Sequence, residues 1–268
     1  MKAAIWGCRG TVPAPGPTTV RYGGNTTCVA VEATDGRLVI LDCGSGIRPL
    51  GDVLAAAGPP AELDILLTHM HLDHVTGLGF FAPLFMDRTV RIWGPRQGDR
   101  PLAESLADYL SPPLFPVRFS DIPVKLEVIE VGEETWEVAG ISVTSGHIQH
   151  PGGALGFRLE EAGKTLVFIP DNELGIDPDA GIGLATGADV LFHDAQYTEA
   201  QYPSKVGWGH SSVPDFATFV RRTGPGRALM FHHDPAHDDD TLEAMRDDAA
   251  ELAGREIELA AEGLSIEL

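Results

Sequence analysis

The 268-residue sequence predicts an α/β fold in which two sheets pack face to face with helices outside. Three observations predict it. Short β-rich runs recur from one end of the chain to the other and outnumber the helical patterns. Gly, Pro and Asp separate those runs, and several end on a polar residue. No repeat and no low-complexity linker divides the chain, so residues 1–268 are expected to form a single domain, a length within reach of one large core.

In chain order, strands are expected at KAAIWG, TCVAVEA and GRLVILDCG. A helix at PLGDVLAAAG is stopped by Gly58, Pro59 and Pro60. Strands AELDILLTH and TVRIWG follow, then a helix at PLAESLADYL. Pro112, Pro113 and Pro116 punctuate the loop 111–121, read as an ordinary connection with a flap over a site as the alternative. Strands KLEVIEV, GISVTSG, LGFRLEEAG, KTLVFIPD and ADVLFHDA come next, and a helix at VPDFATFVRRTG is ended by Gly224. After strand RALMFHHD, the stretch DTLEAMRDDAAELAG reads as a helix with a capping box, Asp240 at the cap and Glu243 three residues on. EIELAAEGLSIEL closes the chain as β structure.

The formal net charge of −20 is the strongest compositional signal. Such a surface repels a phosphate backbone, the arginines are dispersed and lysine is scarce, so sustained binding of long nucleic acid is disfavoured and a small substrate is expected. No apolar run approaches the ~20 residues of a membrane helix. MKAAIWGCRG reads as a first strand, not as a signal peptide. Cys8, Cys28 and Cys43 are odd in number and widely spaced, which implies no disulfide framework and makes the cytoplasm the expected compartment.

The chemistry is densest at LTHMHLDHVTG, residues 67–77. An apolar strand delivers its end into Thr68-His69, and in extended backbone residues two apart point the same way, so His69 and His71 can reach one ion together. Asp73 and His74 lie past the strand, where the chain turns, and can face a second point. One strand end cannot close a metal site. The remaining histidines, His147, His150, His193, His210, His232, His233 and His237, are candidate partners, and Asp171 ends another apolar strand with a carboxylate that can give one oxygen to each of two ions. Imidazole and carboxylate donors suit Zn, Mn or Fe. Asp42, ending GRLVILD, is either an orienting carboxylate for a ligating histidine or a simple turn residue. No phosphate-loop or dinucleotide motif is present, and the glycines near the N-terminus read as turn formers; Asn25 and Thr26 are candidates for touching a substrate phosphate.

The motifs THMHLDH at 68–74, HPGGALGF at 150–157, PD at 170–171 and FHHDP at 231–235 resemble the metallo-β-lactamase superfamily of metallohydrolases, in order and over almost the whole chain. The resemblance implies a four-layer αββα sandwich with a dinuclear site between the sheets. It assigns His69, His71 and His150 to one ion, Asp73, His74 and His232 to the other, and Asp171 as the bridge. Zinc is the first expectation for the two divalent ions, with manganese or iron as alternatives. LFHDAQYT and GHSS resemble segments of the phosphodiesterase branch that holds ribonuclease Z and the cyclic phosphodiesterases, which makes His210 the proton donor and Asp194 its orienting partner. The implied activity is hydrolysis of a small phosphodiester, a cyclic nucleotide first, by a metal-bridging hydroxide with His210 as general acid; a homodimer is allowed.

Two departures from that branch stand out. The long basic arm with which ribonuclease Z holds tRNA has no counterpart, which weighs against RNA 3′-processing. Asp194 stands where the branch has glutamate, one methylene shorter. An acyl-type hydrolase (lactonase, thioesterase or β-lactamase) is the rival enzyme reading, but such members generally lack the paired HDA and GHSS segments. A binding protein without turnover is the rival from another class. A redox di-iron role is disfavoured, because that branch carries glutamate where His71 stands. Among the remaining histidines, His147 is expected in a loop, His193 to be structural beneath the site, His233 to support the site from behind, and His237 to lie in a solvated acidic turn.

Overall fold

The computed structural model describes all of residues 1–268, and two seven-stranded mixed sheets form its centre. The first contains β1 (Lys2–Gly7), β2 (Cys28–Glu32), β3 (Leu38–Leu41), β4 (Glu62–Leu66), β5 (Thr89–Gly94) and β6 (Lys125–Glu130), with β14 (Ser265–Glu267) outside β1. The second runs β7 (Thr135–Val138), β8 (Ile141–Ile148), β9 (Ala154–Glu161), β10 (Lys164–Ile169), β11 (Val190–Asp194), β12 (Arg227–Phe231) and β13 (Glu258–Leu259) in that spatial order. Helices α1 (Ile47–Ala57) and α3 (Leu102–Tyr109) cover the first sheet. The short α4 (Ile182–Ala185), α5 (Val213–Thr223) and α6 (Asp239–Ala253) cover the second, and the single turn α2 (Leu72–Val75) follows β4. This is the αββα layering expected from the sequence.

Three apolar layers hold it together. Val29, Val31, Leu41 and Leu66 of the first sheet meet Phe157, Phe168, Phe192 and Phe231 of the second in the central layer. Phe168, Phe192 and Phe231 touch edge to face, with ring centroids 5.5–6.4 Å apart, a favoured aromatic geometry. The outer layers pack α1 and α3 against Ile40, Ile65 and Ile92, and α5 and α6 against Val167, Leu191 and Met230. Neighbouring positions of β3, β4, β10, β11 and β12 are therefore buried on both faces, as strands covered on both sides must be.

Strand direction positions the site. β3, β4, β5 and β6 run parallel, as do β10, β11, β12 and β13. β9 is antiparallel to both β8 and β10, so β8 points the same way as β10. The C-terminal ends of these strands gather at one edge, where the Leu155 amide donates to the Thr68 carbonyl at 3.0 Å and joins the sheets.

Some local expectations are corrected. β7 lies outside the expected strands and forms by pairing with β8. His147 is an exposed residue of β8, not of a loop. The cap of α6 is Asp238, whose side chain accepts from the Thr241 amide at 2.8 Å, not Asp240. The helix starts earlier because Asp239, buried within its first turn, accepts from the Arg21 amide at 2.9 Å. In the loop 111–121, Phe115 packs edge-on against Phe80, with centroids 5.8 Å apart. No helix is long and apolar enough to cross a membrane.

Candidate metal centre

The residues singled out at strand ends converge at that shared edge. His69 and His71 follow β4, with Asp73 and His74 on α2. His150 follows β8, Asp171 β10 and His232 β12. Ligating atoms of His69, His71 and His150 lie within 4.8 Å of one another, as do those of Asp73, His74, Asp171 and His232. Asp171 spans the two groups. Its Oδ1 is 3.1 Å from His74 Nε2 and 3.3 Å from His232 Nε2, while its Oδ2 is 3.8 Å from both His69 Nε2 and His150 Nε2. On the other side of the second group, Asp73 Oδ2 sits 3.0 Å from His232 Nε2.

A second ring of hydrogen bonds sets which nitrogen each imidazole presents. His74 Nδ1–H donates to Asp42 Oδ2 at 2.7 Å, which places Asp42 in the orienting role and not in a bare turn. Asp42 also accepts from the amide and hydroxyl of Thr68, and Thr68 Oγ1 in turn lies 3.0 Å from His69 Nδ1. His232 Nδ1–H donates to Gln196 Oε1 at 2.8 Å, and His150 Nδ1–H to the Gly209 carbonyl at 3.0 Å. In each case Nε2 is left facing the cluster. Two glycines make this closeness sterically possible: a Cβ on Gly10 would stand 2.2 Å from the His232 ring, and one on Gly209 2.1 Å from the His150 ring. Gly10 thus serves close approach and does not merely turn the chain.

The electrostatics fit a cation. Burial holds His69 well below its ordinary range and lowers His71 and His150, so these imidazoles are neutral acceptors. Burial acts against the ionised form of Asp171 and of Asp73, yet the surrounding histidines hold both carboxyls well below the usual range. His74 behaves oppositely. Despite its burial, Asp171, Asp73 and Asp42 raise it well above its ordinary value, so positive charge is favoured at the point where four ligand atoms meet. His69 Nε2, His74 Nε2 and Asp171 Oδ1 are buried with no hydrogen-bond partner. Buried, unsatisfied atoms that converge in ligand-ready protonation states are what a divalent cation site requires.

Beside this cluster, His210 Nδ1 lies 2.9 Å from Asp194 Oδ2, and the His210 ring stacks on His232 with centroids 4.7 Å apart. The aspartate reaches across despite its missing methylene because it belongs to β11 itself, where the Asn172 and Gln196 amides also donate to it at 3.1 and 2.9 Å. Burial pushes the Asp194 carboxyl up and the His210 imidazole down, and with Nδ1 engaged by Asp194 the ring leaves Nε2 as its unengaged nitrogen. A groove of about 360 Å³ opens beside His71, lined by Met70, Gln97, Arg100 and Tyr109 among others.

Other candidates are placed elsewhere. Asn25 and Thr26 are engaged in bracing the N-terminal loop: Asn25 donates to Glu262 and accepts from Ser45, and Thr26 Oγ1 accepts from the Ser45 amide. His193 is buried beneath the site, with Nδ1 donating to the Asp194 carbonyl at 2.7 Å. His233 does not support the cluster, since its Nε2 donates to the Ala260 carbonyl at 2.9 Å on the far side. His237 is buried rather than solvated, its carbonyl accepting from Arg9 and its Nε2 meeting Gln201. Sequence reasoning missed Gln196, Thr68 and Glu173. Glu173 is fully buried and accepts from the amides of Gly207 and Gly209 at 2.6 and 2.7 Å. It lies two residues past Asp171 at a strand end, and nothing in its spacing announces those partners.

A family model described as a β-lactamase superfamily domain matches residues 37–233. Ribonuclease BN of Escherichia coli (strain K12) is 27% identical over 279 residues, which cover 83% of this chain and 87% of that protein. Among solved structures, the metallo-β-lactamase fold protein YhfI from Bacillus subtilis superposes with a TM-score of 0.78 at 19% identity, covering 100% of this chain and 98% of YhfI. Zn²⁺-bound PqqB from Methylobacterium extorquens superposes with a TM-score of 0.73 at 20% identity, covering 100% of both chains.

Proposed function

This chain belongs to the β-lactamase superfamily, and from that premise we propose that it is a metal-dependent phosphodiesterase acting on a small substrate, a cyclic nucleotide first, with residues 1–268 working as one hydrolase unit. The observation that carries the reading is the Asp194–His210 pair, 2.9 Å apart and stacked against His232 at the edge of the histidine and aspartate cluster. An alkoxide leaving from phosphorus needs a proton at the moment of departure, whereas the thiolate leaving from a thioester does not. The similarity to a ribonuclease supports phosphodiester chemistry. The net charge of −20 favours a small substrate over tRNA.

His69, His71 and His150 would hold one divalent cation and Asp73, His74 and His232 the other, with Asp171 shared. Three neutral imidazoles on one side and the Zn²⁺-bound state of the PqqB relative in fold favour zinc. When bound, the pair of cations supplies charge neutralisation on the phosphoryl oxygens and a water acidic enough to attack at neutral pH. The chain's own residues supply the rest. Asp42, Gln196 and the Gly209 carbonyl hold the imidazoles in the tautomers that face the cluster. Asp194 holds His210 Nδ1, so that a proton taken up at Nε2 beside the anionic substrate can pass to the leaving oxygen. Burial, by lowering the imidazole, makes that proton easy to release.

Metal analysis of the purified protein, joined to a panel of linear, 3′,5′-cyclic and 2′,3′-cyclic nucleotides, precursor tRNA, a lactone and a thioester, tests the reading. Turnover of the small phosphodiesters above the rest is expected. Faster turnover of the lactone or thioester would replace it with acyl hydrolysis, and faster turnover of the tRNA would replace it with RNA processing.

A further inference from the structure

Between β11 and α5 the chain passes through a segment, Tyr202 to His210, that ends on the proposed acid. It is built as a fixed strap. The buried Glu173 carboxylate accepts from the Gly207 amide, the Gly209 amide and the Tyr202 hydroxyl at 2.6, 2.7 and 3.0 Å. The carbonyl of the same Gly209 accepts from His150 Nδ1, which ties the strap to the histidine and aspartate cluster. Within it stands Trp208, 57% exposed, while Trp6, Trp93 and Trp136 are each at least partly covered. Lys205 Nζ lies 3.9 Å from the Trp208 ring centroid and 5.8 Å from that of Tyr197, whose ring is in turn 5.9 Å from His210. Lys2, Lys125 and Lys164 each pair with a carboxylate, but the Lys205 ammonium has only aromatic faces.

An indole held from one side by a cation, on a strap clamped by a buried carboxylate, stands two residues from the proposed acid, beside which the leaving side of the substrate would lie. We propose that Trp208 is the stacking platform for an aromatic base on that side of the substrate, with Lys205 fixing the indole from behind. The proposal rests on the phosphodiesterase reading and names the feature of the substrate that the site prefers: a nucleobase. Base stacking on an aromatic side chain changes affinity by roughly five- to a hundredfold.

The test compares binding of AMP and of ribose 5-phosphate to the metal-loaded protein, by calorimetry and by quenching of tryptophan fluorescence. The unaltered protein should bind AMP tighter by a factor in that range, with quenching by AMP alone. Trp208→Ala should bring AMP to the affinity of ribose 5-phosphate, and Trp208→Phe should keep most of the preference. Because Trp208 is exposed, both variants should melt with the unaltered protein. Equal affinity of the two ligands for the unaltered protein, or an undiminished AMP preference in Trp208→Ala, overturns the proposal. The panel of substrates above reads the catalytic assignment separately: a protein that prefers AMP but cleaves no phosphodiester would retain the stacking site and lose the phosphodiesterase reading.

Discussion

In the proposed mechanism a proton delivered from His210 Nε2 would matter to an alkoxide leaving group and hardly at all to a nitrophenolate, which departs without one. His210→Ala should therefore lower kcat on an alkyl-leaving phosphodiester by ~10²–10⁴-fold and leave a nitrophenyl ester within about tenfold of the unaltered enzyme. Metal content, read by elemental analysis, should not change. Equal loss on both substrates would remove the acid role from His210. Asp42 makes a different claim. It touches no substrate, but it accepts from His74 Nδ1 at 2.7 Å and from Thr68, which in turn contacts His69. Asp42→Ala should weaken metal binding by about 10–100-fold, measured by competition with a chromophoric chelator. Asp42 and His232 also have positive φ values, 56° and 58°, a conformation uncommon for side-chain-bearing residues and found here at two strand ends of the site.

At the scale of elements, helix boundaries were readable because their signals are local. Gly58 closes α1, and Gly224, at φ +60°, closes α5. The start of α6 shows where local reading fails: two aspartates before the expected one compete for the cap, and a tertiary bond from Arg21 to Asp239 settles which wins. Asp238→Ala should cost about 1 kcal/mol in urea denaturation, and Asp240→Ala less than about 0.5 kcal/mol; the reverse order would restore Asp240 as the cap. β7 escaped notice for a related reason. Its residues, TWEV, lie among glutamates at the edge of the second sheet, half-exposed, and only pairing with β8 makes them a strand.

For the molecule as a whole, charge sets the approach of substrate. A chain of net charge −20 repels an anionic ligand at long range. Raising salt from about 50 to 200 mM screens that repulsion, so kcat/KM for a small anionic phosphodiester should hold or rise. A protein that gripped RNA through many phosphate contacts would lose affinity steeply over the same range. A steep fall with a precursor tRNA substrate would contradict the small-substrate reading. In the proposed two-cation state, removal of the cations would act on the whole fold as well, because the cluster joins strand ends of both sheets. Chelation should abolish activity and lower Tm by several degrees, both restored by adding zinc back.

The sequence by itself determined the layers of the fold, the helix ends and the positions of the cluster residues at strand ends. The layers and helix ends follow from short-range rules, short apolar runs and glycine stops, and the candidate positions from a polar residue where an apolar strand runs out; the choice among those candidates follows from the family resemblance. Only the tertiary structure decided how those side chains are held. The partner of His74 lies 32 residues away, that of His232 36 and that of His150 59. Tautomer and ring orientation depend on such partners, and so does the fate of His233 and His237, which look as ligand-like in the sequence as their neighbours. Hydrogen bonding between distant strand ends leaves no periodic trace along the chain, because it is chosen by how the sheets stack and not by what stands next in sequence.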